Sequence, residues 1–237
     1  MYEKIPTELK NLKQWCVYKL VWDEKRNKHT KIPYNANNGY KAKSNDESTW
    51  SDFQTALNAV STFNMSGLGF FFKPPYFGID IDNAEGEVER YKTGDVEENI
   101  IYEFIESMKS YAEYSQSGTG IHIIARGELP GGRRRKGDVE MYQDGRFFVM
   151  TGNIASDYLA ISEPDPKNIK RLYDRYVGDS KIIQFKEENP LMNTVDLPVE
   201  EIIQRAESSS QGARFKVFMD GGWAVSYTHL IFSPSSF

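Results

Sequence analysis

Phe77-Gly-Ile-Asp-Ile-Asp82 alternates apolar and acidic residues and is the most informative stretch of the chain. On a β-strand this alternation turns Ile79 and Ile81 toward a core and puts the two carboxylates on the opposite face. Asp80 and Asp82 then repel one another unless a cation lies between them. Hard divalent cations such as Mg²⁺ prefer oxygen ligands, so the pair predicts a metal site. A strand end with two solvated aspartates is the alternative that so short a motif leaves open.

A second segment, Tyr114-Ser-Gln-Ser-Gly-Thr-Gly-Ile-His-Ile-Ile124, predicts a tight loop followed by a strand. Its glycines let backbone N–H groups approach an anion closely, and its serine hydroxyls add donors. On the strand, His122 points away from the apolar side and can donate a hydrogen bond to a phosphate oxygen. An ordinary turn and a structural histidine would explain the same residues. The candidate anion contacts of the loop are Ser115, Ser117, Gly118 and Gly120.

A third segment, Asp138-Val-Glu-Met-Tyr142 followed by Arg146-Phe-Phe-Val-Met-Thr-Gly152, predicts a β-hairpin around the turn Asp144-Gly145. Glu140 lies between two apolar residues and can supply a third carboxylate. Arg146 begins the partner strand, where a guanidinium can bind a triphosphate through two hydrogen bonds. A cross-strand Glu–Arg pair on an exposed sheet face is the alternative.

The three segments, in this order, resemble the motifs of the archaeo-eukaryotic primase superfamily, and most closely the primase-polymerases of phages and plasmids. Tyr-x-Glu-x-Ser-x-Ser-Gly-x-Gly-x-His at Tyr111–His122 and Glu-x-Tyr-x-x-x-Arg-Phe-Phe-x-x-Thr-Gly at Glu140–Gly152 carry the resemblance. The N-terminal part of that family is similar in Trp15, Lys31-Ile-Pro33, and Trp50-x-x-Phe53 before Gly67-Leu-Gly69. The resemblance covers about residues 10–180.

This resemblance implies a DNA primase-polymerase that joins nucleotides by two-metal phosphoryl transfer, with Mg²⁺ or Mn²⁺ as cofactor. It implies Asp80, Asp82 and Glu140 as catalytic metal ligands and a catalytic part for His122. The implied nucleotide contacts are Ser115, Ser117, Gly118, Gly120, His122, Arg146 and, on the Lys-x-Pro element alone, Lys31. The implied partners are nucleoside triphosphates and a single-stranded or primed DNA template in phage or plasmid replication. A replicative helicase is left open as a further partner.

Two other classes of function compete with this interpretation. A metal-dependent nuclease would use the same carboxylates to activate water, although it has no triphosphate for the Ser/Gly loop to hold. A catalytically silent nucleic-acid-binding module would keep the fold without the reaction, although the acidic residues are intact.

The densest basic cluster is Arg133-Arg-Arg-Lys136, on a predicted loop between glycines and directly before the Glu140 strand. Arg133, Arg134, Arg135 and Lys136 are therefore candidates for contact with template phosphates. The net charge of −5 argues against a generally basic nucleic-acid surface, so such binding would have to be local. A solvated loop is the alternative.

Composition describes a packed globular protein. The 237 residues include 14 Tyr, 14 Phe and 4 Trp, enough for one sizeable domain with a small appendage. The single cysteine, Cys16, rules out a disulfide framework and suits a reducing compartment. The apolar runs are too short to span a bilayer, so we expect no membrane association and a cytoplasmic location. The resemblance to phage and plasmid proteins implies a prokaryotic host.

The predicted fold class is α/β (α+β): a primase-polymerase fold with a mixed sheet and a catalytic half that resembles an RNA-recognition motif, followed by a short helical segment. The domain prediction is a catalytic domain over 1–180, a linker over 181–197, the start of a helical bundle over 198–223 and a non-native tail over 224–237. Predicted helices are 49–61, capped by Ser48 or Thr49, then 99–108, 166–177, 198–207 and 212–219, and the acidic stretch 83–98 is predicted to be a loop.

Overall fold

The computed structural model describes residues 2–178, 199–209, Gly212 and Lys216. The chain divides into two compact units, Met1–Lys181 and Ile182–Phe237. The strands are β1 (Trp15–Asp23), β2 (Lys28–Tyr34), β3 (Gly67–Phe71), β4 (Tyr76–Ile81), β5 (Ala112–Tyr114), β6 (Ile121–Arg126), β7 (Arg135–Lys136), β8 (Val139–Tyr142) and β9 (Phe147–Met150). The α-helices are α1 (Thr7–Lys10), α2 (Phe53–Thr62), α3 (Glu85–Lys92), α4 (Ile100–Met108), α5 (Pro166–Tyr176) and α6 (Val199–Glu207), and short 3₁₀ helices cover Tyr2–Lys4 and Glu47–Thr49.

The strands form two sheets. A four-stranded sheet has the order β2-β1-β3-β9, and a five-stranded sheet has the order β5-β6-β4-β8-β7. This arrangement confirms the predicted α+β class. The prediction of a mixed sheet is wrong, because every strand pair in the described residues is antiparallel.

The five-stranded sheet has a core on each face. Ile79 and Ile81 pack with helices α4 and α5 on one side, as the alternation predicts. On the other side, aromatic residues of the two sheets share a second core. Gly78 makes this approach possible, because a Cβ there would lie 2.3 Å from Phe72 and 2.5 Å from Phe148. The polar face of β4 is therefore turned toward the four-stranded sheet, and a cleft forms where aromatic packing gives way to charged residues.

The predicted hairpin across Asp144-Gly145 is wrong. Strand β8 pairs with β4 and β7, whereas β9 pairs with β3 in the other sheet. The turn passes the chain from one sheet to the other, with Gly145 at φ +65°. The alternation within each segment was predicted correctly, but a turn dipeptide does not determine which strands pair across it.

Residues 83–98 are not a continuous loop, because they contain helix α3. Glu85 and Glu87 lie in its first turn and Arg90 and Lys92 in its last, an order that favours the helix dipole. Buried Val88 attaches the helix to the core, which the surrounding charges hide in the sequence. Helix α2 also starts later than predicted, because Asp52 and not Ser48 or Thr49 caps it by accepting from the Thr55 N–H.

Helices α4, α5 and α6 confirm three of the predicted helices. Of the second compact unit, the structure describes α6, whose acidic first turn again suits the helix dipole. The predicted linker 181–197 and tail 224–237 lie outside the described residues, as does most of the predicted helix 212–219. Within the described part of the chain, no helix is long and apolar enough to cross a membrane.

Candidate active site

One row of polar side chains crosses all five strands of the five-stranded sheet. Direct cross-strand pairing places Glu113 opposite His122, His122 opposite Asp80, Asp80 opposite Glu140, and Glu140 opposite Arg135. Directly opposite residues point to the same face of a sheet, so the five side chains form one line. The sheet therefore brings together Asp80, His122 and Glu140, which lie up to 60 positions apart in the chain.

Asp80 lies at the centre of the row in an environment that disfavours its charge. Burial raises the pKa of its carboxyl to about 6; the carboxylates of Asp82 and Glu140 add to the rise, whereas His122 and Lys31 oppose it. Asp80 Oδ1 is buried and has no hydrogen-bond partner, and the closest cationic group, His122 Nε2, lies 3.7 Å away. A buried, unpartnered carboxylate oxygen is what a bound cation would satisfy.

The side chains at the two ends of the row pair with their neighbours, whereas the two carboxylates in the middle, Asp80 and Glu140, do not pair with each other. Glu140 Oε1 forms an ion pair of 2.9 Å with Arg135 Nη1, and no positively charged side chain of the row lies between Asp80 and Glu140. Asp82 is half-buried and lines the same cleft. In residues 2–178 and the described part of the second unit, no group of three acidic, histidine or cysteine side chains already has the geometry of a metal site. The donor set and the unpartnered oxygen fit a divalent cation held by Asp80, Asp82 and Glu140.

His122 is held from behind by Glu113. The imidazole is 3% exposed, and its Nδ1 lies 3.3 Å from Glu113 Oε1. Burial lowers the pKa of His122, but the hydrogen bond to Glu113 and the charges of Asp80 and Glu113 outweigh it, so the pKa is raised overall. An imidazolium fixed through Nδ1 presents Nε2–H toward Asp80 and the cleft.

Glu113 is the residue that sequence reasoning missed, although it belongs to the quoted motif at Tyr111–His122. It is fully buried and accepts hydrogen bonds from Tyr111 Oη, at 2.7 Å, and from the backbone N–H groups of Thr151 and Gly152, at 2.9 and 2.8 Å. The sequence signal that could have identified Glu113 is its alternation with Ser115 in the segment that precedes the histidine strand. Glu113 also joins the sheets, since Thr151 directly follows β9.

The cleft has a volume of about 310 Å³, and strand β2 and its preceding turn form part of its wall. Lys31 and Arg146, two predicted nucleotide contacts, both line it. The Arg146 guanidinium lies over the Tyr142 ring, 4.8 Å from its centroid, and Nη2 donates to Tyr142 Oη at 3.2 Å. The Tyr142 ring thus positions the Arg146 guanidinium. Arg146 does not pair with Glu140, whose partner is Arg135.

The Ser/Gly loop packs against the end of β4 and does not line this cleft. A Cβ at Gly120 would lie 2.1 Å from the carbonyl oxygen of Ile81, so only glycine permits the contact. Gly118 adopts φ +77° in the turn. Ser115 Oγ lies 3.1 Å from Ser117 Oγ, and Ser115 lines a separate cavity of about 570 Å³.

The basic cluster lies beside the carboxylates and is not a separate solvated loop. Arg135 and Lys136 form strand β7 and not the predicted loop, and Arg135 reaches Glu140. Arg134 Nη1 donates to the Pro130 carbonyl at 3.2 Å, and Arg133 Nε donates to the Arg135 carbonyl at 3.0 Å. The cluster therefore lies at the edge of the sheet that carries the row.

Replacing Asp80 by Asn should stabilise the metal-free protein in a pH-dependent way. A carboxyl whose pKa is about 6 in the folded protein, against a usual 3.8, binds more protons folded than unfolded between these values, so its contribution to stability falls as pH rises. Asp80→Asn should raise the free energy of unfolding by about 1–3 kcal/mol at pH 7 and by little at pH 4. Urea unfolding with a chelator measures this, with exposed Asp157→Asn as control. An equal gain at both pH values would contradict the assigned environment.

Glu113→Gln should destabilise the protein and lower the pKa of His122. The amide would turn its NH₂ group toward buried donors that the carboxylate now satisfies, at a cost of about 1–3 kcal/mol. Glu106→Gln is the matched control, because Glu106 also accepts from a tyrosine hydroxyl, at 3.0 Å, but is only half-buried. Urea unfolding gives the stability, and NMR titration of the His122 ring gives the pKa. An unchanged His122 pKa would show that Glu113 does not hold the imidazole.

Comparison with known proteins agrees with the motifs. No family model matches the chain. A DNA primase-polymerase from Nitratiruptor phage NrS-1 is 32% identical over 173 residues, which are 70% of this chain and 23% of the phage protein. The chain therefore spans about a quarter of the length of this relative. The match confirms the resemblance predicted from the motifs, because over these 173 residues the chain is similar to a phage primase-polymerase.

Proposed function

We propose that this chain is the catalytic part of a DNA primase-polymerase, which transfers nucleotides from (deoxy)nucleoside triphosphates to a growing strand on a template. The observation that carries the proposal is the pair of carboxylates Asp80 and Glu140, which lie directly opposite one another on neighbouring strands, with the buried Asp80 Oδ1 without a hydrogen-bond partner. The printed name of the phage relative supports the same reaction.

Asp80, Asp82 and Glu140 would hold two Mg²⁺ or Mn²⁺ ions. Such ions, when bound, activate the attacking hydroxyl and stabilise charge on the phosphoryl group in transfer. Asp80 supplies a buried oxygen without another partner, and Asp82 supplies a carboxylate at the mouth of the cleft. Glu140 would have to exchange its ion pair with Arg135 for the new ligand.

His122 and Arg146 would bind the triphosphate. In its protonated form, His122 presents Nε2–H beside Asp80 while Nδ1–H donates to Glu113. Arg146 lines the cleft with its guanidinium already held over the Tyr142 ring, so little freedom is lost when it pairs with phosphate oxygens. Lys31 adds a third positive charge on the cleft wall.

The Ser/Gly loop would contribute to triphosphate binding in two ways. Its packing against Ile81 supports the end of the strand that carries the aspartates. Because the loop does not line the cleft, its hydroxyls at Ser115 and Ser117 and its backbone at Gly118 and Gly120 would contact only phosphate oxygens that extend beyond the cleft. The template would run along the basic edge at Arg133–Lys136, where each phosphate contact adds salt dependence.

For a longer protein such as the phage relative, the proposal also includes a role in phage or plasmid replication and a helicase partner. The first alternative function is a metal-dependent nuclease, which the same carboxylates would serve. The second is a silent nucleic-acid-binding module. A nuclease has no triphosphate for the Ser/Gly loop to hold, and a silent module gives no reason for the intact acidic residues.

Extension of a labelled primer on a template separates the three functions. We expect the wild-type chain to lengthen the primer with Mn²⁺ or Mg²⁺, and Asp82→Asn to abolish extension because a metal ligand is lost. Asp157→Asn, an exposed change of the same kind, should leave extension intact. A shortened primer would indicate the nuclease, and an unchanged primer that is nevertheless bound would indicate the silent module.

Nucleotide use and template binding should depend on different residues. His122→Ala should weaken nucleotide use roughly ten- to a hundredfold, because it removes a charge-assisted phosphate contact, and should spare template binding. The double change Arg133→Ala with Arg134→Ala should do the reverse and flatten the salt dependence of template binding by at most about one unit per lost contact. Extension against nucleotide concentration and binding against salt give the two readouts. An unchanged nucleotide dependence in His122→Ala would refute the triphosphate role.

A further inference from the structure

The β1–β2 hairpin carries an exposed surface that the catalytic residues do not explain. The outer half of β1 is exposed at Leu20, Val21 and Trp22, at 39%, 38% and 51%. The exposure of Trp22 is exceptional among the tryptophans of the described residues, because Trp15 is 0% and Trp50 is 7% exposed. A single exposed apolar side chain is ordinary, but several neighbouring ones form a patch that can mark a contact surface.

Trp22 shares its face of the hairpin with residues that line the cleft. It pairs directly with His29, and Leu20 pairs with Lys31, so all four side chains lie on one face. His29 and Lys31 line the cleft together with the site carboxylates. The Trp22 and His29 rings meet edge to face, with centroids 5.1 Å apart, which holds the indole beside the cleft.

The charge of the hairpin is opposite to that of the chain. Residues 19–31 contain five Lys or Arg against two acidic residues, in a chain of net charge −5. Arg26 and Lys28 also line the cleft. The Asp23 carboxylate is occupied within the turn, where it accepts from the N–H groups of Lys25 and Arg26 at 3.0 and 3.2 Å. Basic side chains beside an exposed aromatic ring are complementary to single-stranded nucleic acid, whose phosphates bind the charges while an unpaired base stacks on the ring.

We infer that the hairpin face defined by Leu20, Trp22, His29 and Lys31 binds single-stranded DNA, with a base stacked on Trp22. The charged side chains of the hairpin hold the DNA strand and guide it to the row of carboxylates. A duplex fits the surface poorly, because its bases are already stacked on one another. This inference rests on the proposed function, since the occupant is the template strand of that reaction.

The test measures binding without catalysis. Fluorescein-labelled oligothymidylate of 16 nucleotides is titrated with the protein in a chelator at low salt, and anisotropy gives the affinity. We expect Trp22→Ala to weaken binding roughly five- to a hundredfold, because one base loses its stacking partner. Trp22→Phe should retain most of the affinity. Val21→Ala, an exposed change on the other face of the same strand, should leave it within about twofold.

Intrinsic fluorescence provides a second measurement on the unaltered chain. Unlabelled oligothymidylate should quench the tryptophan emission of the wild type, and Trp22→Phe should remove that quench while the affinity persists. Absence of a quench in the wild type would overturn the inference even if Trp22→Ala failed to fold. Equal affinities for Trp22→Ala and wild type, or equal losses in Trp22→Ala and Val21→Ala, would overturn it as well.

Three further outcomes separate this inference from its competitors. If light scattering shows a dimer that Trp22→Ala converts to a monomer, the surface binds a second copy of the chain and the inference is wrong. If the wild type binds oligothymidylate through Trp22 but never extends a primer, the hairpin inference stands and the proposed polymerase fails. If primers are extended while Trp22→Ala binds normally, the polymerase stands and the hairpin inference fails.

Discussion

The repulsion between Asp80 and Glu140 is the constraint around which the rest of the site is arranged. The strands hold the two carboxylates opposite one another in a place where burial already disfavours the charge of Asp80. Such an arrangement persists in a folded protein when packing elsewhere enforces it. Here the apolar residues of the same strands pack against helices on the other face of the sheet, and that packing stabilises a site which is electrostatically unfavourable when no cation is bound.

The positively charged side chains of the row are distributed so that none of them lies between Asp80 and Glu140. Arg135 pairs with Glu140 at one end of the row, and His122 is drawn toward Glu113 at the other. Neither side chain donates a hydrogen bond to Asp80 Oδ1, which leaves this oxygen available to a ligand from outside the chain. Arg146 and Lys31 reach the cleft from the four-stranded sheet. One sheet thus supplies the acidic residues, and the other supplies two of the cations that face them.

Much of the site was predictable because alternation along a strand is a local property. Asp80, His122 and Glu140 each follow a period of two, and each lies on the face that this period predicts. Pairing between strands is not local, so the prediction that β8 pairs with β9 was wrong. The pair that Glu140 forms with Arg135 was not predicted for the same reason. Glu113 was overlooked for the same reason, since its role depends on strand β6 lying beside it. Helix α3 was missed because one buried valine among charges leaves no periodic signal.

The buried carboxylate of Glu113 also ties the two sheets together at one edge. Its bonds to Thr151 and Gly152 join the five-stranded sheet to the chain directly after β9, an edge strand of the four-stranded sheet. The β1–β2 hairpin lies at the opposite edge and lines the cleft. The junction between the sheets is therefore asymmetric: hydrogen bonds to a buried carboxylate hold one edge, whereas a charged hairpin borders the cleft at the other.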